Sequence, residues 1–140
     1  MPEKKAVRLY TDGACRGNPG SGGAGAVLFD ENGGILATAK KFLGTCTNNE
    51  AEYAALTLGL EKALSGGHKT IHVFLDSELL VRQINGIYRV KNNRLKPLMQ
   101  EVQRHLALFD GYTVEHVPRS ENAIADRLAN EAIDDEFDRV

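Results

Sequence analysis

The sequence predicts an α/β fold: a five-stranded mixed sheet, an antiparallel meander plus two parallel strands, flanked by helices. Three observations lead there. The first third of the chain reads at strand spacing, punctuated by Gly-rich and Asn-Gly turns. After Thr47 the apolar period turns helical. From there short β-rich runs alternate with amphipathic segments, and a strand-helix-strand unit following a meander implies a mixed sheet with helices on its faces.

The elements follow in order. Residues 6–12 (AVRLYTD) alternate, with Val7, Leu9 and Thr11 on one face. Residues 13–23 (GACRGNPGSGG) read as a Gly-rich turn around Asn-Pro-Gly. Residues 24–30 make a second strand, Asn32-Gly33-Gly34 a hairpin signal, and about 35–43 a third strand. Thr47-Asn48-Asn49-Glu50 fits a capping box, and Leu56, Leu60, Ala63 and Leu64 recur at helical spacing until Gly66-Gly67. Residues 70–75 (TIHVFL) form a fourth strand. Ser77 then caps a helix running to about Asn85-Gly86. Leu95, Leu98, Val102, Leu106 and Phe109 mark an amphipathic helix over 94–109, with Pro97 tolerated in its first turn. Residues 112–117 (YTVEHV) alternate as a fifth strand, and 121–133 form a last helix. The acidic tail, about 134–140, is expected to fray.

Composition bounds the function. The chain has 140 residues, one domain's worth, with 42% hydrophobic and 26% charged residues. These values exclude a disordered, collagen-like or coiled-coil chain. No apolar run reaches the ~18 residues of a membrane span, and the N-terminus has no apolar export core. A cytoplasmic location is expected. Cys15 and Cys46 lack zinc-ligand spacing and read as free thiols. With 17 basic against 19 acidic residues the net charge is -2, which excludes a generally basic nucleic-acid coat but not a local basic patch.

Four carboxylates stand where burial should forbid them. Asp12 ends the first strand and Asp76 the fourth, and open α/β sheets place ligands beyond the carboxyl ends of their strands. Glu52 lies on the apolar stripe of the first helix, in its first turn, four residues before Leu56. Asp126 lies at the edge of the last helix's inward face. Singly, each has an ordinary explanation: a cap for Asp76, the helix dipole for Glu52, a pairing with Arg127 or Arg119 for Asp126. Together they form a set too acidic to be buried without cations. Oxygen-only ligands of this kind suit Mg²⁺ or Mn²⁺.

Four segments then carry a resemblance: TDGACRGNPGSGG at 11–23, TNNEAEYAAL at 47–56, DSELLVRQI at 76–84 and VPRSENAIADRLA at 117–129. In this order, on these elements, the chain resembles the type 1 ribonuclease H (RNase HI) family over about residues 6–133, in a short form without the long basic insertion. The resemblance implies a ribonuclease H-like fold in a single domain. It also implies an endoribonuclease that hydrolyses the RNA strand of RNA/DNA hybrids by two-metal-ion catalysis, leaving 5′-phosphate and 3′-hydroxyl ends. The family's metal-binding carboxylates fall on Asp12, Glu52, Asp76 and Asp126, the same four. Two Mg²⁺ are the implied cofactors, with Mn²⁺ as a substitute, and Asp12 is the bridging ligand. Family contacts to the hybrid fall on Cys15, Asn18, Asn48 and Asn49; Asn122 matches a polar position near the site, a further candidate substrate contact that could equally be the helix cap.

The sequence departs from the family at two places. Many members carry a His in a loop before the last helix; here that loop is Pro118-Arg119-Ser120-Glu121, and His116 belongs to the strand alternation. Arg119 is therefore the expected loop cation near the scissile phosphate, as in related short-loop members. An Arg stays protonated, so it binds phosphate rather than acting as a base. The segment after Gly86 is also short. It still holds Arg89, Lys91, Arg94 and Lys96 which, with Arg82, make an acid-free run from Leu79 to Gln100. This reads as a reduced phosphate-contact patch, with Arg89 and Lys91 as candidate substrate contacts. Glu78 stands where some relatives have an amide that touches nucleic acid.

Gly20-Ser21-Gly22-Gly23-Ala24-Gly25 formally matches a dinucleotide fingerprint, but a strand rather than a helix follows it. The competing reading is a non-catalytic module binding hybrid or double-stranded RNA on the same fold. Four acids kept without metal would only destabilise such a module. The expected partner is an RNA/DNA hybrid; no membrane or protein partner is implied, and a monomer is expected.

Overall fold

The computed structural model describes residues 6–138. Its elements are β1 (Val7–Gly17), β2 (Gly20–Phe29), β3 (Ile35–Cys46), α1 (Asn48–Ser65), β4 (Thr70–Leu75), α2 (Glu78–Ile84), α3 (Lys96–Leu106), β5 (Gly111–His116), a 3₁₀ turn (Arg119–Glu121) and α4 (Ala123–Phe137). The sheet runs β3-β2-β1-β4-β5. The pairs β1–β2 and β2–β3 are antiparallel, while β1–β4 and β4–β5 are parallel. The five-stranded mixed sheet flanked by helices is thus present in the order predicted. No helix among the described residues is long and apolar enough to cross a membrane.

α1 packs on one face of the sheet. Its Tyr53, Leu56, Leu60 and Ala63 are buried with Leu9, Ala26, Leu28, Ile71 and Val73 in one core. α1 begins where the sequence placed it: Thr47 Oγ1 accepts from the Glu50 backbone N–H, and Glu50 Oε1 accepts from the Thr47 N–H. The box makes Glu50 the acid of the first turn, so Glu52 opens the second turn rather than lying in the first. α4 covers the opposite face, over β2.

The Gly-rich stretch at 13–23 is strand, not turn. β1 and β2 run through it, and only Asn18 and Pro19, joined by a cis bond, separate them. Gly17, at φ 101°, turns the chain where a side chain would be strained. The other glycines serve packing. A Cβ at Gly23 would lie 2.1 Å from the Ala129 carbonyl oxygen of α4, and one at Gly25 2.2 Å from that of Ala125. At Gly13 it would lie 2.3 Å from the Ala51 carbonyl carbon of α1. The helices rest directly on the strand backbone, which only glycine permits.

The tail also departs from expectation. Helix α4 continues through Phe137 instead of fraying from Asp134. Arg16 holds Asp134 at 2.7 Å, Lys40 holds Asp135 at 2.7 Å, and Phe137 packs edge-to-face on Phe42. Arg139 and Val140 lie outside the described residues.

Candidate active site

Three elements converge where β1 and β4 part. Asp12 lies in the middle of β1 rather than at its end, because β1 runs on to Gly17. β4 ends at Leu75 and delivers Asp76, just past the last β1–β4 pair, Tyr10 with Phe74. α1 delivers Glu52, two residues beyond its capping box. One carboxylate oxygen from each of Asp12, Glu52 and Asp76 lies within 4.8 Å of the other two. Asp126, in the first turn of α4, lies outside this tightest group but near enough to Asp12 to help raise its carboxyl.

The electrostatics show a cluster short of positive charge. Asp12 is 4% exposed. Burial above all, then the charges of Glu52 and Asp76, push its carboxyl up to about 9. Glu52 is pushed up to about 7 by burial and by Asp76; Asp12, Arg119 and the Gly13 backbone act in the other direction. Arg119, in the 3₁₀ turn, is therefore near enough to Glu52 to act on it. His116 is the last residue of β5 and faces Glu78 instead. The donor set is all carboxylate oxygen, with Asp12 buried and Glu52 and Asp76 part-buried, and the cluster can hold a hard divalent cation.

Cys15, Asn18, Asn48 and Asn49 gather along one rim. The Asn48 N–H donates to Asn18 Oδ1 at 3.0 Å, which joins the β1–β2 turn to the start of α1. The Cys15 Sγ lies 2.6 Å from the Gly17 carbonyl oxygen and 2.8 Å from that of Cys46, two acceptors for its single proton. Both cysteines are free thiols, and burial pushes that of Cys46 up to about 11. Asn18, Asn48 and Asn49 are exposed.

The basic run is less concentrated than its sequence count. Arg82 is bound to Glu78 at 2.7 Å and lies 5.4 Å from the centre of the Tyr88 ring. Arg94 reaches Glu50 at 3.3 Å. Arg89, Lys91 and Lys96 are exposed and have no acidic partner among the described residues. Glu78, which the sequence would set against phosphate, is already matched by Arg82.

Asn122 departs from its expected place on the substrate surface. It is 1% exposed, and its side-chain amide donates to the Thr11 carbonyl at 2.9 Å and to Asp76 Oδ2 at 3.0 Å. It stands behind the carboxylates because the strand ends part there and leave the Thr11 carbonyl to be satisfied. Sequence reading missed Asn130, whose amide donates to the Asp126 carbonyl at 3.0 Å and to Asp126 Oδ1 at 3.4 Å. The signal was available: Asn130 follows Asp126 by four residues on one helix.

A family profile described as reverse transcriptase-like matches residues 10–132. The ribonuclease HI of Halobacterium salinarum is 42% identical over 129 residues, which span 92% of this chain and 65% of that protein. Against mycobacterial relatives at 41% identity, the chain spans 35% of their length. The crystal structure of ribonuclease H1 from the same Halobacterium superposes with a TM-score of 0.91 at 41% identity, covering 94% of this chain and 99% of that one. LC11 ribonuclease H1, solved in complex with an RNA/DNA hybrid, gives 0.89 at 40% identity, covering 94% and 99%. The match of profile, sequence and fold along nearly the whole chain means that it belongs to the type 1 ribonuclease H family.

Proposed function

We propose that this chain, acting as one ribonuclease H domain, hydrolyses the RNA strand of RNA/DNA hybrids, as an endonuclease leaving 5′-phosphate and 3′-hydroxyl ends. The observation that carries the reading is the crowded carboxylate group of buried Asp12 and part-buried Glu52 and Asp76, with Asp126 near Asp12. A fold does not keep such a group for stability, since each buried acid without a cation costs free energy. Asp12, Glu52, Asp76 and Asp126 would hold two Mg²⁺, with Mn²⁺ as a substitute. Such ions supply Lewis-acid stabilisation for in-line displacement at phosphorus.

The protein's own groups do the rest. Asp12 faces the other three acids from the sheet and is the natural shared ligand. Arg119 offers a permanent positive charge beside Glu52, suited to a phosphate oxygen and unable to take a proton. Cys15, Asn18, Asn48 and Asn49 present small polar groups along one rim, matched to the sugar and phosphate edge of an A-like minor groove. Arg89 and Lys91 supply phosphate contacts away from the site. The similarity to a ribonuclease H1 solved with a hybrid supports the choice of substrate.

The test is digestion of an end-labelled hybrid beside double-stranded DNA and double-stranded RNA, with Mg²⁺ or with EDTA. The expected result is cleavage of the RNA strand of the hybrid only, only with Mg²⁺, and with ends that bear a 5′-phosphate. Binding of the hybrid without cleavage under all metal conditions would replace this reading by the non-catalytic module.

A further inference from the structure

Asn122 occupies the N-cap of α4, the place where an Asn normally turns its side chain onto the free N–H groups of the first turn. It makes no such bond. Its side-chain amide points the other way, into the gap where β1 and β4 part. There it takes the Thr11 carbonyl at 2.9 Å and Asp76 Oδ2 at 3.0 Å. The helix start gives up its side-chain cap. The Asn122 Oδ1 atom is buried without a partner as well. Two local losses at one residue, beside a crowded acidic cluster, need an offsetting role.

The chemistry of the donor supplies one. Asp76 crowds Asp12 and Glu52, and repulsion favours its turning out toward water. An Arg or Lys at position 122 would hold it but would also cancel the negative field that attracts a dication. A carboxamide holds one oxygen with a neutral N–H and leaves the charge in place, and the second oxygen stays free for a ligand. The rigid anchor is the main chain of β1, since the same amide nitrogen is fixed on Thr11.

We propose that Asn122 is a positioning residue that locks the Asp76 carboxylate in its cation-binding orientation by a neutral hydrogen bond, tying the start of α4 to the β1 backbone. The role rests on the function proposed above, but its test does not depend on cleavage alone. Mn²⁺ binding is measured by calorimetry on the protein without nucleic acid, hybrid binding by fluorescence anisotropy in EDTA, and cleavage as kcat and KM. Asn122→Ala should weaken Mn²⁺ binding 10- to 100-fold, the usual cost of losing a group that orients a metal ligand. It should lower kcat, and leave KM and hybrid affinity in EDTA within about twofold. Asn122→Asp keeps the shape but replaces the donor by an acceptor, and covers the case in which the Ala variant does not fold. It should fold and lose kcat at unchanged KM.

Wild-type Mn²⁺ affinity and kcat in either folded variant would overturn the proposal. So would a loss of hybrid affinity in proportion to a fall in Tm, which is what a purely structural residue gives. A wild-type chain that binds Mn²⁺ but cuts no hybrid would sink the function proposed above; the affinity difference for Asn122→Ala would still decide this one.

Discussion

The two ends of the α4 helix hold acids in opposite ways. Toward its C-terminus, Glu131, Asp134 and Asp135 face Lys40 and Arg16 at 2.7–3.4 Å, all in reach of water. At its N-terminus, Asp126 meets Asp12 in a group where acids face acids and burial raises Asp12 to about 9. The residue types are the same; what differs is the partner and the water. An acid opposite a Lys or Arg on the surface fastens a helix and contributes little, while acids crowded on one another, with Arg119 acting on Glu52 alone, carry charge that the chain leaves unmatched.

The largest effect that tests this contrast is Asp12→Asn. Hybrid cleavage should fall about 1,000-fold or more, several kcal/mol of lost transition-state stabilisation. The same change in EDTA at pH 8 should raise Tm, on the order of 5 °C, because a neutral amide removes the cost of holding a proton on that buried acid. A lower Tm would break the contrast. Next, Arg89→Ala with Lys91→Ala should weaken hybrid binding about tenfold near 50 mM salt and reduce the slope of log K against log salt by about 2. Gel-shift titration from about 50 to 200 mM salt measures it.

The third expectation concerns pH. Asp12 and Glu52 have folded-state values raised to about 9 and about 7, so the folded protein binds protons that the unfolded chain releases. Their contribution to stability is complete below the ordinary carboxylate range and is lost as pH rises through 7 to 9. Thermal melts in EDTA should therefore show Tm falling between pH 5 and 9, and millimolar Mg²⁺ should flatten the fall. The smallest effect belongs to the other end of α4. Asp134→Asn with Asp135→Asn should lower stability by no more than about 1 kcal/mol, read from urea unfolding, and leave cleavage within twofold.

Much of this molecule was legible in its sequence. Alternation at 6–12 and the capping box at 47–50 gave true element starts, because both report local geometry. Asp12, Glu52, Asp76 and Asp126 could be picked out because an acid on an apolar stripe or strand end contradicts the pattern around it. Less legible were features that depend on what lies across space. The glycines of 13–23 read as a turn, yet Gly13 and Gly23 are strand floor beneath two helices, and no periodicity reveals a helix overhead. Asn122 read as a substrate contact or a helix cap, because its partners, the Thr11 carbonyl and Asp76, stand far off in the sequence. The tail read as frayed because Arg16 and Lys40, its partners, stand about a hundred residues earlier.

The bare backbone at Gly23 and Gly25 has a further consequence. Because Ala125 and Ala129 rest on main-chain atoms, the height of α4 above the sheet is set by hard atomic radii rather than by compressible side chains. Asp126 rides on the same turn, so its aim is indexed to the most rigid part of the chain. Drift in the hydrophobic interior can then repack around the machinery without detuning it, whereas one methyl group added beneath that helix would tilt the whole mount.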